Sequence, residues 1–298
     1  CMRTRLSGGR VARRAARERH SRARRAFGAL EGMSTASAHL VAPARARASA
    51  RRGVRRAHGG ATEPPRGQLR ARNSASASAS SSARDDDARA NLAVFVSGGG
   101  SNMRAIHDAC ERGEVRGRVA CVVTNAATCG GAEWARERGI PVLIYPAKKN
   151  ETGGLTADAL VDALTREHGA EFVLLAGYLR LIPPELCRAY ENRMVNIHPA
   201  LLPAFGGKGM HGENVHKAVV ASGARFTGPT IHFVNEAFDE GKILAQTVVP
   251  VFDDDDASAV AARVLAQEHI LFPRVVAAMC EDRIRFRSDG VPFIVDAE

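Results

Sequence analysis

Asn91-Leu92-Ala93-Val94-Phe95-Val96 runs directly into Ser97-Gly98-Gly99-Gly100-Ser101-Asn102, and this junction decides the fold. A short apolar run bounded by turn-formers reads as a strand buried on both faces. After the glycine-rich turn, Met103, Ile106 and Cys110 fall on one face of an amphipathic helix. Strand, tight turn and helix together make the opening of a βαβ unit. The pattern then recurs along the chain. Val119–Thr124 is a second strand, and Ala132–Arg138 a helix closing at Gly139. Pro141–Tyr145 is a third strand, Thr156–His168 a helix ended by Gly169, and Glu171–Ala176 a fourth strand. Strands alternating with helices predict an α/β fold, an open and mostly parallel twisted sheet with helices on both faces. Further on, Met194–Ile197, Thr230–Val234 and a longer Ile243–Val251 read as strands. Ser258–Met279 reads as a last helix interrupted near Pro273, and Arg283–Pro292 as a terminal hairpin.

Upstream of this body the composition changes. Residues 1–90 hold 21 Arg, no Lys and 6 acidic residues, whereas the remaining 208 residues hold 21 basic and 26 acidic ones. The net charge of +10 therefore belongs to the leader, and the body is mildly acidic. Too few apolar residues occur in 1–90 to bury a core, so the expectation there is a disordered segment. An Arg-, Ser- and Ala-rich, acid-poor leader matches an organelle transit peptide, with a basic RNA-binding tail or mistranslated upstream sequence as alternatives. Ser/Ala richness favours chloroplast (plastid stroma) over mitochondrion, and either Met2 or Met33 is a candidate start. The expected division is 1–90 as leader and 91–298 as one catalytic domain. An acidic body gives no basic face for nucleic acid. No run of 18 apolar residues is present, so no transmembrane helix is expected. The six cysteines are scattered without C-x-x-C or zinc spacing, which points to a reducing compartment and no metal site.

Three elements carry chemistry. Gly100, Ser101 and Asn102 open a helix, where unpaired backbone N–H groups and the helix dipole favour an anion. The turn lacks the Lys-Ser/Thr of a P-loop and the G-x-G-x-x-G spacing, so a single phosphate suits it better than a triphosphate or dinucleotide. Asn196 and His198 lie two apart at a strand's carboxyl end, hence on one side, just where open α/β sheets keep their sites. Asp239 ends Asn235-Glu236-Ala237-Phe238-Asp239, the loop leaving the strand at 230–234. Spacing alone reads Asp239 as a solvated loop carboxylate. It reads Asp253–Asp256 as a solvated turn without a role.

Together the motifs FVSGGGSN, LLAGYLRLI, NIHPALLP, GPTIHFVNEAFDEG and RVLAQEH, in this order, resemble the folate-dependent phosphoribosylglycinamide formyltransferases. The resemblance spans essentially all of 91–298, and the longer AFGGKGMHGENVHKAV is similar to the plant and green-algal branch. It implies a Rossmann-like formyltransferase fold and a step of purine (one-carbon) metabolism. The formyl group of 10-formyltetrahydrofolate would pass to the amine of 5'-phosphoribosylglycinamide. It further implies catalytic Asn196, His198 and Asp239, with Asp239 beside His198. Substrate contacts would come from Gly100, Ser101, Asn102, Gln267 and Glu268. Folate contacts would come from Leu179, Arg180, Leu181, Ile182, Asn196 and the loop Asn235, Glu236, Ala237, Phe238, Asp239. Where some members carry a further folate-contacting Arg, this chain has Thr152-Gly153-Gly154. Expected partners are these small molecules alone, with no nucleic acid or membrane, in a monomer or weak homodimer.

Under that resemblance, a proton held on His198 by Asp239 and the Asn196 amide would stabilise the oxyanion formed as the amine attacks. Asp239, through a water, would move the proton from amine to folate nitrogen. Which of His107, His211, His216 and His232 tunes the site is left open. Three rival readings are a hydrolase delivering water to the same carbon, a silent folate or nucleotide sensor, and an RNA-binding protein working through the leader.

Overall fold

In the computed structural model the described residues are 89–147 and 154–297. The leader expected over 1–90 thus lies almost wholly outside them, as do Thr152 and Gly153. β1 (Ala90–Val96) is buried at every position but Asn91. Seven strands form one sheet, in the order β3-β2-β1-β4-β5-β7-β8. β2 (Gly117–Thr124) and β3 (Val142–Ile144) lie to one side of β1, and β4 (Phe172–Leu175) and β5 (Met194–His198) to the other. These five are parallel. β7 (Thr230–Phe233) and β8 (Ile243–Gln246) then add antiparallel to the β5 edge. The expected α/β class is observed.

Alternate residues of β1 feed two cores. Leu92, Val94 and Val96 pack with α1 (Ser101–Glu111) and with Phe272, Val275 and Val276 of the last helix. Ala93 and Phe95 pack on the other face with Leu160, Leu164, Leu186 and Tyr190. Those residues belong to α3 (Ala157–Asp162), its π-helical continuation Ala163–Glu167, and α4 (Pro184–Ala189) with Tyr190 directly after it. α2 (Gly130–Glu137) joins β2 to β3. The chain runs outward from β1 to β3 and then returns to β4. A crevice therefore opens where β1 and β4 diverge, at the carboxyl ends of the strands.

Three expectations need correction, and two helices were not anticipated. The stretch 243–251 is not one strand: β8 ends at Gln246, and β9 (Val249–Pro250) pairs with β6 (Phe226–Thr227) in a separate two-stranded sheet. Gly228, at φ +143, lies so close to the Thr247 carbonyl that no Cβ fits, and both strands turn there. The last helix, α6 (Ala257–Cys280), passes through Pro273 without ending, because Phe272, Pro273, Val275 and Val276 are all buried against the sheet. Asp253–Asp256 is not an idle turn. Asp256 accepts from the Ala259 N–H to cap α6, and Asp255 makes a two-toothed pair with Arg263 at 2.7 and 2.9 Å. Finally, α4 and α5 (Glu213–Ser222) have no counterpart in the sequence reading. The terminal hairpin is present as β10 (Ile284–Phe286) and β11 (Pro292–Ile294). No helix among the described residues is long and apolar enough to cross a membrane.

Candidate active site

The crevice holds a cavity of about 830 Å³, within the range of small-molecule sites. Its floor begins at the turn after β1. Ser97 fastens this turn from three sides: its hydroxyl donates to Asn125 at 2.6 Å and accepts from the Leu179 N–H at 2.9 Å, while its N–H donates to the Gly177 carbonyl. Gly100 has φ +73, and a Cβ there would stand 2.9 Å from the Gly131 Cα. Only glycine lets the chain turn so tightly against α2. No side chain caps α1, and no acidic residue sits in its first turn. Its opening N–H groups remain available to an anionic ligand. The Asn102 amide donates to Glu268 of α6 at 2.6 Å, tying the turn to that helix. Burial raises the Glu268 pKa, partly offset by this bond.

At the end of β5, Asn196 and His198 share a side, as their spacing requires. Register places His232 opposite Asn196 and Thr230 opposite His198. His232 Nδ1 donates to the Phe233 carbonyl at 2.9 Å, so in the neutral ring Nε2 accepts from the Asn196 amide at 3.0 Å. The same Nε2 lies 3.6 Å from Asp239. The other oxygen of Asp239 stands 3.5 Å from His198 Nδ1 and accepts from the Gly207 N–H at 2.9 Å. Asp239 itself is left-handed, at φ +56, which turns its carboxylate back between the two imidazoles. Burial opposes its charge. The two imidazoles facing it and the Gly207 N–H outweigh burial and hold its pKa below the ordinary value.

His198 departs from expectation. Burial, joined by nearby His232, lowers its pKa by more than Asp239 and the Phe205 carbonyl raise it, so its surroundings disfavour the protonated ring. Its Nε2 donates to the Phe205 carbonyl at 2.9 Å. Phe205 is another left-handed residue, at φ 56.

Of the sequence-assigned residues, Gly100, Ser101, Asn102, Leu179, Arg180, Leu181, Ile182, Asn196, His198, Asn235, Ala237, Phe238, Asp239 and Glu268 line the cavity. Glu236 and Gln267 do not. Glu236 faces Arg188 at 3.7 Å on the surface. On α6 the cavity side carries Ala261, Leu265 and Glu268, spaced four and three apart, and Gln267 is turned about 100° from Glu268. The sequence reading missed Leu265, which that helical phase would have revealed. Of the four histidines left open, His211, His216 and His232 line the cavity, whereas His107 stacks edge-on against Trp134, 5.0 Å between ring centres. Among the described residues no group of three or more His, Cys, Asp or Glu side chains is placed to hold a metal ion.

Residues 90–276 match the model of the formyl transferase family. Over 210 residues the chain is 60% identical to the chloroplastic phosphoribosylglycinamide formyltransferase of Vigna unguiculata, covering 70% of this chain and 67% of that one. The chain belongs to the phosphoribosylglycinamide formyltransferase family. The Arabidopsis thaliana protein of the same name, also called chloroplastic, is 59% identical over 207 residues, 69% of this chain and 70% of that one. Among solved structures, glycinamide ribonucleotide transformylase 1 from Symbiobacterium toebii superposes with a TM-score of 0.62 at 35% identity, covering 70% of this chain and 95% of that one. Within this formyltransferase, the glycine turn and the Asn196–His198–Asp239 group open into one continuous cavity. A phosphate-bearing substrate and a formyl donor fit that arrangement.

Proposed function

We propose that this chain transfers the formyl group of 10-formyltetrahydrofolate to the amine of 5'-phosphoribosylglycinamide, a step of purine synthesis, in the plastid stroma. Residues 1–90 would act as the transit peptide and 91–298 as the catalytic domain. The observation that carries the reading is the single cavity joining an uncapped helix start at Gly100–Asn102 to Asn196, His198 and Asp239. The leader composition and the chloroplastic names of the relatives support the location.

The acceptor phosphate takes the N–H groups opening α1, and Glu268 draws in the amine end. The formyl donor lies along Leu179–Ile182 and Asn235–Asp239, with Leu179 and Leu181 half exposed toward its ring system. When the amine attacks the formyl carbon, negative charge grows on the formyl oxygen. Asn196 has one amide hydrogen held by His232 and the other free for that oxygen, so it donates from a fixed orientation. A proton arriving on His198 Nδ1 completes an ion pair with Asp239. For His198 also to donate to the oxyanion, its Nε2–H must leave the Phe205 carbonyl. Asp239, ionised and partly buried, serves as relay for the proton lost by the amine and gained by the departing nitrogen, through a water. Attack and departure balance: the C–N bond to the donor breaks, the C–N bond to the acceptor forms, and one proton crosses.

The test is to mix the full chain with both substrates and follow tetrahydrofolate release. Release that requires phosphoribosylglycinamide supports transfer. Formate release without the amine would instead establish the hydrolase, and no turnover at all the sensor.

A further inference from the structure

His216 is a cavity-lining side chain to which the reaction above gives no task. It sits near the start of α5, only 7% exposed. Its neighbours Val215 and Val219 pack with Val260 and Val264 of α6, which holds α5 in place. Nδ1 of the ring is buried and has no hydrogen-bond partner among the described residues, whereas Nε2 is not sealed in this way. A polar nitrogen orphaned in a core is a cost that an apolar residue of similar size avoids. Burial, then the nearness of His198, lower the ring's pKa against a smaller opposing pull from Glu213. Its surroundings therefore favour the neutral ring, which carries one proton. With Nδ1 shut away from any acceptor, that proton belongs on Nε2.

Three other polar groups around the cavity are already engaged. The Asn102 amide donates to Glu268, Ser97 to Asn125, and His198 Nε2 to Phe205. His216 shares the cavity with the α6 residues Ala261, Leu265 and Glu268, and Glu268 is joined to the phosphate turn. It is also within electrostatic reach of His198. The ring thus shares one cavity with the residues assigned to the phosphate and with those assigned to the reaction.

We propose that His216 is a binding residue for the amine-bearing substrate, its Nε2–H donating to an oxygen of the segment that links phosphate to amine. The proposal rests on the acceptor assigned above. Two variants of the full chain, His216→Leu and His216→Gln, test it. Acceptor affinity is measured by calorimetry with phosphoribosylglycinamide, KM for both substrates by steady-state rates, and Tm by thermal unfolding. His216→Leu should weaken the acceptor about three- to tenfold, the worth of one neutral hydrogen bond. KM for the formyl donor should stay unchanged, and Tm should be equal or higher because the orphaned nitrogen is gone. His216→Gln, which keeps an N–H, should recover part of the affinity. A second readout does not depend on a variant folding well: in wild-type protein labelled with ¹⁵N-histidine, the His216 Nε2 signal should shift on saturation with acceptor. Wild-type acceptor affinity in folded His216→Leu, or an unshifted Nε2 signal, overturns the role of His216. Failure of the wild type to bind the acceptor at all overturns the assigned function as well.

Discussion

Replacing Thr230 by Val removes one hydroxyl and almost no volume, at the point where the loop after His198 is fastened to the sheet. Thr230 is fully buried, and its hydroxyl donates to the Ala200 carbonyl at 2.7 Å. It also accepts from the Leu202 N–H at 3.0 Å and from the Gln246 amide at 2.9 Å. Gln246 keeps a second bond to the Leu202 carbonyl, so its loss is partial. The Ala200 carbonyl and the Leu202 N–H would be left buried and unpaired. Each such group costs about 1–3 kcal/mol, and with some relaxation the pair should cost about 2–4 kcal/mol. For a domain of this size that is a fall in Tm of roughly 5–15 °C. The loop released is the one that brings Phe205 to His198, so kcat should also fall by about tenfold or more. The assay is urea unfolding of both proteins alongside tetrahydrofolate release. Thr227→Val supplies the control. Its hydroxyl is equally buried but has no partner among the described residues, so its removal should be neutral or mildly stabilising. If Thr230→Val loses less than about 0.5 kcal/mol and keeps its rate, the hydroxyl is not holding the loop.

Further expectations follow from the same geometry. Asp239→Asn keeps the shape but loses the charge between His198 and His232; kcat should drop by about 10²–10⁴-fold with little change in Tm, and near-normal turnover would remove Asp239 from the reaction. Gly100→Ala meets both a left-handed backbone and the Gly131 backbone, so acceptor KM should rise more than donor KM in steady-state assays. Stability should depend on pH through His198 and His216, whose folded pKa values lie below the unfolded value of about 6.5. Their contribution is complete above that pH and is lost as pH falls through the folded values, because the unfolded chain takes up the protons first. Asp239 adds a second loss at lower pH, with the same sign, whereas Glu268, raised by burial, works in the opposite sense. Urea midpoints between pH 7.5 and 5 should fall, and fall less in His216→Leu; a flat profile in the wild type would contradict buried neutral imidazoles.

Much of the architecture was legible in short stretches. The strand–glycine turn–helix junction at 91–110 led to a parallel sheet because local pattern and buried partner agree there. Departures arose where one segment's conformation is imposed by another. β8 stops before Thr247, whose carbonyl packs on Gly228, and α6 survives Pro273 because its neighbours are buried. Leu265 lines the cavity through the phase of the helix, which the motif alone does not show.

The sequence by itself determined that Asn196 and His198 face one side of a strand end, that a glycine turn opens α1, and which family the motifs belong to. These are properties of a two-residue alternation, a glycine turn and a linear order of motifs. Only the tertiary structure decided that Asp239 lies between His198 and His232, since those groups come from a strand end, a neighbouring antiparallel strand and the loop that follows it. It also decided the direction in which the His198 pKa moves, which depends on how much water the surrounding elements exclude against how close one carboxylate stands. Both are distances through space, and no spacing along the chain encodes them.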